Sequence, residues 1–170
     1  MMPEQVTRAS GPEITEAADG DAELELISPE FDDDGLLPAR FSYARHNLSP
    51  PLLWDGVPDG TAELVLLCED IDAPIGTFVH WVVKDIEPDA DGVDEADTPR
   101  GGIAGRNGFG APGWSGPHPP AGDEPHRYVF QLYAVDTPLR LRMDANAGDV
   151  RAAMAGHVLA RGTLVGRFAR

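Results

Sequence analysis

"HRYVFQLYAVD", residues 126–136, decides how this chain is read. Its aromatic and β-branched residues favour a strand. Alternation puts Tyr128, Phe130, Leu132 and Ala134 on one face and Val129, Gln131, Tyr133 and Val135 on the other. Apolar groups on both faces mark the strand as buried. Outward from it, "AELVLLCED" (62–70) is a nearly continuous apolar run between turn signals, as a central strand would be. "TFVHWVVKDI" (77–86) is another, and "RGTLVGRF" (161–168) reads as a final strand.

The remainder is shorter or irregular. "AELELIS" (22–28) alternates as a half-buried strand does, and "ARFSYA" (39–44) follows it after the turn-rich "PEFDDDGLLP". "NLSPPLLWDGVPDGT" (47–61) is broken by prolines, which leaves room only for short edge strands. Residues 89–125 carry Gly, Pro and Asp with little periodicity, the pattern of a functional or disordered loop. One helix is legible in "NAGDVRAAMAGHVLA" (146–160), with Asn146 as its cap and Val150, Met154 and Val158 on one side. Residues 1–20 are polar and acidic and are expected to form a disordered tail, leaving 21–170 as a single domain. The fold class predicted is mainly β: a two-sheet antiparallel β-sandwich with one or two short helices.

Composition narrows the function. A net charge of −16 argues against nucleic acid as a partner, since phosphate backbones attract basic surfaces. No apolar stretch approaches membrane-spanning length and the N-terminus has no signal-peptide core, so a cytoplasmic protein without membrane insertion is expected. Lys84 is the only lysine among 13 cationic residues. An acidic, lysine-poor surface suits a high-salt, halophilic cytoplasm; a GC-rich genome would favour arginine in the same way. The single cysteine, Cys68, excludes an intramolecular disulfide and sits in an apolar run, as a buried small hydrophobe does.

Several catalytic signatures fail on spacing. "GGIAGRNGFG" (101–110) has its glycines in the reverse of the dinucleotide order and no strand-turn-helix around it, so no nucleotide cofactor is expected. "GWSGP" (113–117) places Pro117 where a nucleophile elbow needs glycine, which disfavours Ser115 as an attacking group. The histidines have no H-x-x-x-H spacing, and no metal is expected. An anion pocket survives. His80 lies in an apolar strand whose neighbours Val79 and Trp81 should face the other way. Asp70 and Asp72 end one strand on a shared face; His126 and Tyr128 begin another on a shared face. A Gly-Pro loop nearby can approach a ligand closely. Together they read as a small polar pocket for phosphate or another oxyanion.

"NLSPPLLW", "EDIDAP", "HWVV", "NGFG", "GWSGPHPPAG", "HRYVFQLYA" and "GHVLARGTLVGRF", spread over residues 47–168, resemble the phosphatidylethanolamine-binding protein family. The nearest likeness is to its bacterial and archaeal branch of Raf kinase inhibitor-like proteins, from about Leu24 to Phe168. The resemblance implies a β-sandwich with a small anion-binding cavity lined by Asp70, Asp72, His80, Gly116, Pro117, His126 and Tyr128. It adds Trp81 and Trp114 as an apolar wall, with His118 at the rim. It departs from the family at Ile71, where proline is usual, at His118, where the prokaryotic branch often has cysteine, and at Trp114, where that branch has tyrosine. The Ala73–Pro74 bond is a candidate cis peptide. The function implied is that of a non-catalytic cytosolic binding protein for a small phosphorylated or anionic ligand, a possible homodimer and regulator of a kinase or other enzyme. The competing reading is a hydrolase that uses a pocket histidine as general base.

Overall fold

The computed structural model describes residue 20 and residues 22–170, so the proposed tail lies outside the described residues except for Gly20. Its strands are β1 (Ala22–Glu23), β2 (Glu25–Ile27), β3 (Gly35–Leu36), β4 (Leu52–Asp55), β5 (Glu63–Asp70), β6 (Phe78–Ile86), β7 (Gly92–Val93), β8 (Ile103–Ala104), β9 (His126–Val135) and β10 (Val158–Phe168). The large sheet runs β1-β10-β9-β5-β6-β8, and β3 also pairs with β10. The small sheet runs β2-β4-β7. Long ladders are antiparallel; only the two-residue strands β1 and β3 lie parallel to β10.

The continuous apolar runs have a direct cause. One face of the large sheet, with Leu66, Cys68, Phe130 and Leu132, meets the small sheet's Leu26, Leu52 and Trp54 in a common core. The other face, with Val65, Leu67, Tyr133 and Val135, is covered by α1 (Ala147–Met154) through Ala147, Val150 and Met154. Both faces of β5 and β9 therefore exclude water, and neither strand needs polar alternation. Helix α1 begins where the sequence places its cap: Asn146 accepts from Asp149 N, and the Asp149 side chain accepts from Asn146 N. Val158, expected on the helix, opens β10 instead. Arg151 reaches from α1 to a bidentate pair with buried Glu69 on β5, fastening the helix to the sheet.

Two segments depart from their sequence pattern. "AELELIS" is divided at buried Leu24, with β1 in the large sheet and β2 in the small one. "ARFSYA" makes a 3-10 turn over Ala39–Phe41. Both Ser42 N and Ser42 Oγ donate to Ala39 O, a local closure that competes with a ladder. That turn buries Phe41 completely. Lys84 lies inside β6, 1% exposed, and donates to Asp85 at 3.0 Å.

Candidate functional site

Pairing sets three strand ends side by side: Asp70 at the end of β5 lies opposite Phe78 on β6 and Tyr128 on β9. Beyond them is a cleft of about 250 Å3. Asp70, His80 and His126 form its polar floor, while Pro74, Ile75, Phe78, Phe109 and the segment His118–Pro120 supply mostly apolar walls. Phe109 stacks on Tyr43 and meets Phe78 edge-on. Ile75 is 96% exposed at the mouth.

His80 reaches the floor through a bulge. Val79 pairs with Glu69 and Trp81 with Cys68, so His80 is the extra residue between two rungs. Val79 packs under α1 while Trp81 joins the inter-sheet core. His80 and Trp81 thus share a side, where simple alternation puts them on opposite ones. Ser115 and His80 bond twice: Ser115 N donates to His80 O at 3.1 Å, and His80 Nδ1 donates to Ser115 O at 2.5 Å. Burial holds the His80 imidazole below its ordinary pKa against the pull of that carbonyl and of Asp70. A neutral ring protonated at Nδ1 leaves Nε2 as an acceptor.

His126 is its opposite. Nδ1 donates to Asp70 Oδ2 at 2.6 Å and Nε2 to Asp123 Oδ2 at 3.0 Å. Burial disfavours the charged ring, but the bonds to Asp70 and Asp123 together outweigh it and raise the pKa above 6.5. The floor thus sets a ring held between two carboxyl groups, its charged form favoured, beside a ring whose neutral form is favoured. Tyr128 lies beneath, fully buried, its ring edge-on to His80 at 5.2 Å and nearly parallel to His126. Among the described residues no hydrogen bond of sound geometry reaches its hydroxyl, while burial and the Asp70 charge raise its pKa.

The other expected site residues fall elsewhere. Asp72 begins a turn, with its N–H bonded to Asp70 Oδ1, and its carboxylate pairs with Arg127 at 2.8 Å. It lines a neighbouring cleft of about 800 Å3 that also touches Asp123 and His126. Gly116 and Pro117 lie behind the floor: Gly116 N donates to Asn47 Oδ1, and Pro117 O accepts from Tyr43 N. Trp114 donates to Phe41 O and meets Trp81 edge-on at 5.5 Å, so the two tryptophans buttress the core instead of walling the cleft. His118 does reach the rim, tilted against Tyr43. All described peptide bonds are trans, including Ala73–Pro74.

Sequence reasoning passed over Asp123, Phe109 and Asn107. Asn107 binds Gly113 O and Ser115 Oγ through Nδ2 and accepts from Phe109 N and Ala111 N through Oδ1, holding the loop that presents Phe109. An acid three residues before a histidine was the available signal for Asp123, but in a proline-flanked loop spacing does not fix direction.

The two histidines give opposite pH dependences. A folded pKa raised above the unfolded value stabilises fully below that value and is lost as pH climbs through the folded one. His126 therefore withdraws stability as pH rises from 6.5, whereas His80, with its lowered pKa, withdraws it as pH falls below 6.5. Urea unfolding from pH 6.5 to 8 should show a falling stability that is shallower in His126→Gln; equal slopes would count against the charged ring.

Among the described residues no helix is long and apolar enough to cross a membrane. A Mycobacterium tuberculosis protein bearing the lipoprotein name LppC is 37% identical, the alignment covering 98% of this chain and 82% of that protein. The UPF0098 protein of Methanothermobacter thermautotrophicus is 43% identical over 86% of this chain and 99% of its own length. The crystal structure of E. coli YbcL, described as a new member of the mammalian PEBP family, superposes with a TM-score of 0.80 at 28% identity, covering 88% of this chain and 99% of that one. An archaeal relative thus aligns along most of the chain, a bacterial one shares the sandwich, and the phosphatidylethanolamine-binding protein profile matches residues 27–169. The chain belongs to the phosphatidylethanolamine-binding protein family, where it keeps company with the prokaryotic branch.

Proposed function

We propose that this protein is a non-catalytic binding module of a high-salt cell interior, whose cleft takes a phosphate monoester carried on an apolar body. The observation that carries this reading is the pairing of a polar floor, Asp70, His80 and His126, with apolar walls in one cleft of about 250 Å3. A singly protonated phosphate has what the floor asks for. Its oxygens accept from the His126 ring, and its O–H donates to Nε2 of His80. The apolar body rests on Phe78, Phe109 and the prolines. Binding without turnover is supported by the nucleophiles: Ser115 Oγ accepts from Asn107, and Cys68 is fully buried with its pKa pushed up by that burial.

Calorimetric titration in molar KCl with phenylphosphate, inorganic phosphate and a short-chain phosphatidic acid tests the reading. Screening matters because the chain's charge of −16 repels anions at low salt. Phenylphosphate should saturate one site and inorganic phosphate should bind more weakly. His80→Ala and His126→Ala should each lose about tenfold or more, as for bonds to charged groups. The lipid ester binding more tightly than phenylphosphate would assign the source to lipid, and the reverse to a small metabolite. Wild-type affinity in both variants would overturn the proposal.

A further inference from the structure

Asp123 holds the position at which an external oxyanion would meet the cationic floor. Its Oδ2 lies 3.0 Å from His126 Nε2, the outward nitrogen of a ring whose other nitrogen is committed to Asp70. The two partners differ in freedom: the His126 side chain is 5% exposed and that of Asp123 is 41% exposed. Among the described residues this is the only hydrogen bond or ion pair of the Asp123 side chain. Its backbone sits in a short turn, Asp123 N to Pro120 O at 3.3 Å, directly after Gly122 at φ +91°. His126 also lines both the small cleft and the larger one beside it, whereas Asp123 lines only the larger. The carboxylate therefore sits on the nitrogen that an incoming oxyanion would use, where His126 borders both clefts, and can withdraw toward the larger one.

We propose that Asp123 is a tethered stand-in for the ligand, a built-in oxyanion that must be displaced from His126 before the cleft is occupied. The inference rests on the phosphate-monoester reading of the cleft and adds a selection rule to it. A ligand carboxylate has acceptors only, so it can do no more than repeat the bond Asp123 already makes, and it competes with a group held at millimolar effective concentration. A singly protonated phosphate replaces that bond and also donates to His80 Nε2, a contact Asp123 does not make. The tether lowers the affinity of every oxyanion by one common factor. That factor sets a threshold which phosphate monoesters pass and simple carboxylates do not.

The test compares the wild-type chain with Asp123→Ala, titrated with phenylphosphate and with benzoate in molar KCl at pH 6, below the ordinary imidazole pKa. Asp123→Asn, which retains a neutral acceptor, serves as a milder second variant. In the wild type, phenylphosphate should bind measurably and benzoate should not. In Asp123→Ala both should gain by the same factor of about ten or more, with Asn between, and benzoate should come into range. The His126 Nε2 proton resonance should move in the variant without ligand and in the wild type on adding phenylphosphate. Phenylphosphate affinity within about twofold of wild type in Asp123→Ala overturns the stand-in role and leaves the cleft reading in place. Weaker binding in Asp123→Ala also overturns it, by making Asp123 part of the ligand's own shell. No saturable phenylphosphate binding to any of the three proteins overturns the cleft reading, and this inference with it.

Discussion

Asp70→Ala is expected to lower the unfolding free energy by about 3–5 kcal/mol, the cost of stranding one partner of a buried ion pair. Asp70 is 4% exposed and accepts from His126 Nδ1 at 2.6 Å and from Asp72 N at 2.8 Å. Without it the His126 ring loses its inner counter-charge and must either become neutral or keep a buried charge facing a methyl group. The turn that orients Asp72 toward Arg127 loses its anchor as well. Asp70→Asn should cost less, because its amide oxygen keeps one of the two bonds, which in Asp70 fall on separate oxygens. Urea unfolding of the three proteins in molar KCl at pH 6.5 reads the difference. An Asp70→Ala chain within 1 kcal/mol of wild type, well under the range for buried pairs, would show that water reaches the pair.

The second large effect is expected at Gly116. A Cβ built there would lie 2.0 Å from Phe41 O and 3.0 Å from Phe41 C, both backbone atoms of the turn that buries Phe41. Neither side can yield alone. Tyr43 N binds Pro117 O, Trp114 Nε1 binds Phe41 O, and Gly116 N binds Asn47, so the turn and the loop are laced together. Gly116→Ala should cost about 3 kcal/mol, the upper end of ordinary overpacking. It should also pull Ser115 O from His80 Nδ1 and release the tautomer that bond selects. The 15N shifts of His80 report that change separately from stability. A variant with unchanged His80 shifts and unchanged stability would contradict this role for the glycine.

What could be seen in the sequence was whatever burial alone dictates. β5 and β9 were legible because a strand covered on both faces runs apolar through most of its length. α1 was legible because Asn146 and Asp149 form a local, reciprocal cap. The sandwich and the convergence of Asp70, His80 and His126 follow from the same strands. The errors of detail arise where regular alternation stops. Asp72 lies two residues past the end of β5 and turns to Arg127, so it does not share a face with Asp70 in one cleft. A bulge puts Trp81 on the side expected for His80 alone. Gly116 is required by a carbonyl from a turn 75 positions earlier in the chain, a contact that no local pattern encodes. Asp123 and Phe109 belong to loops whose direction is set by irregular bonds within them, from Asn107 and from Pro120 O, that follow no periodic pattern.

The buried Lys84 of β6 has a practical corollary. The chain has no other lysine, so reagents that acylate side-chain amines find no target in the folded protein beyond an ammonium that is 1% exposed. Covalent tagging of Lys84 therefore becomes a clock for the opening of β6, the strand that carries His80. Mass spectrometry can read that clock one adduct at a time.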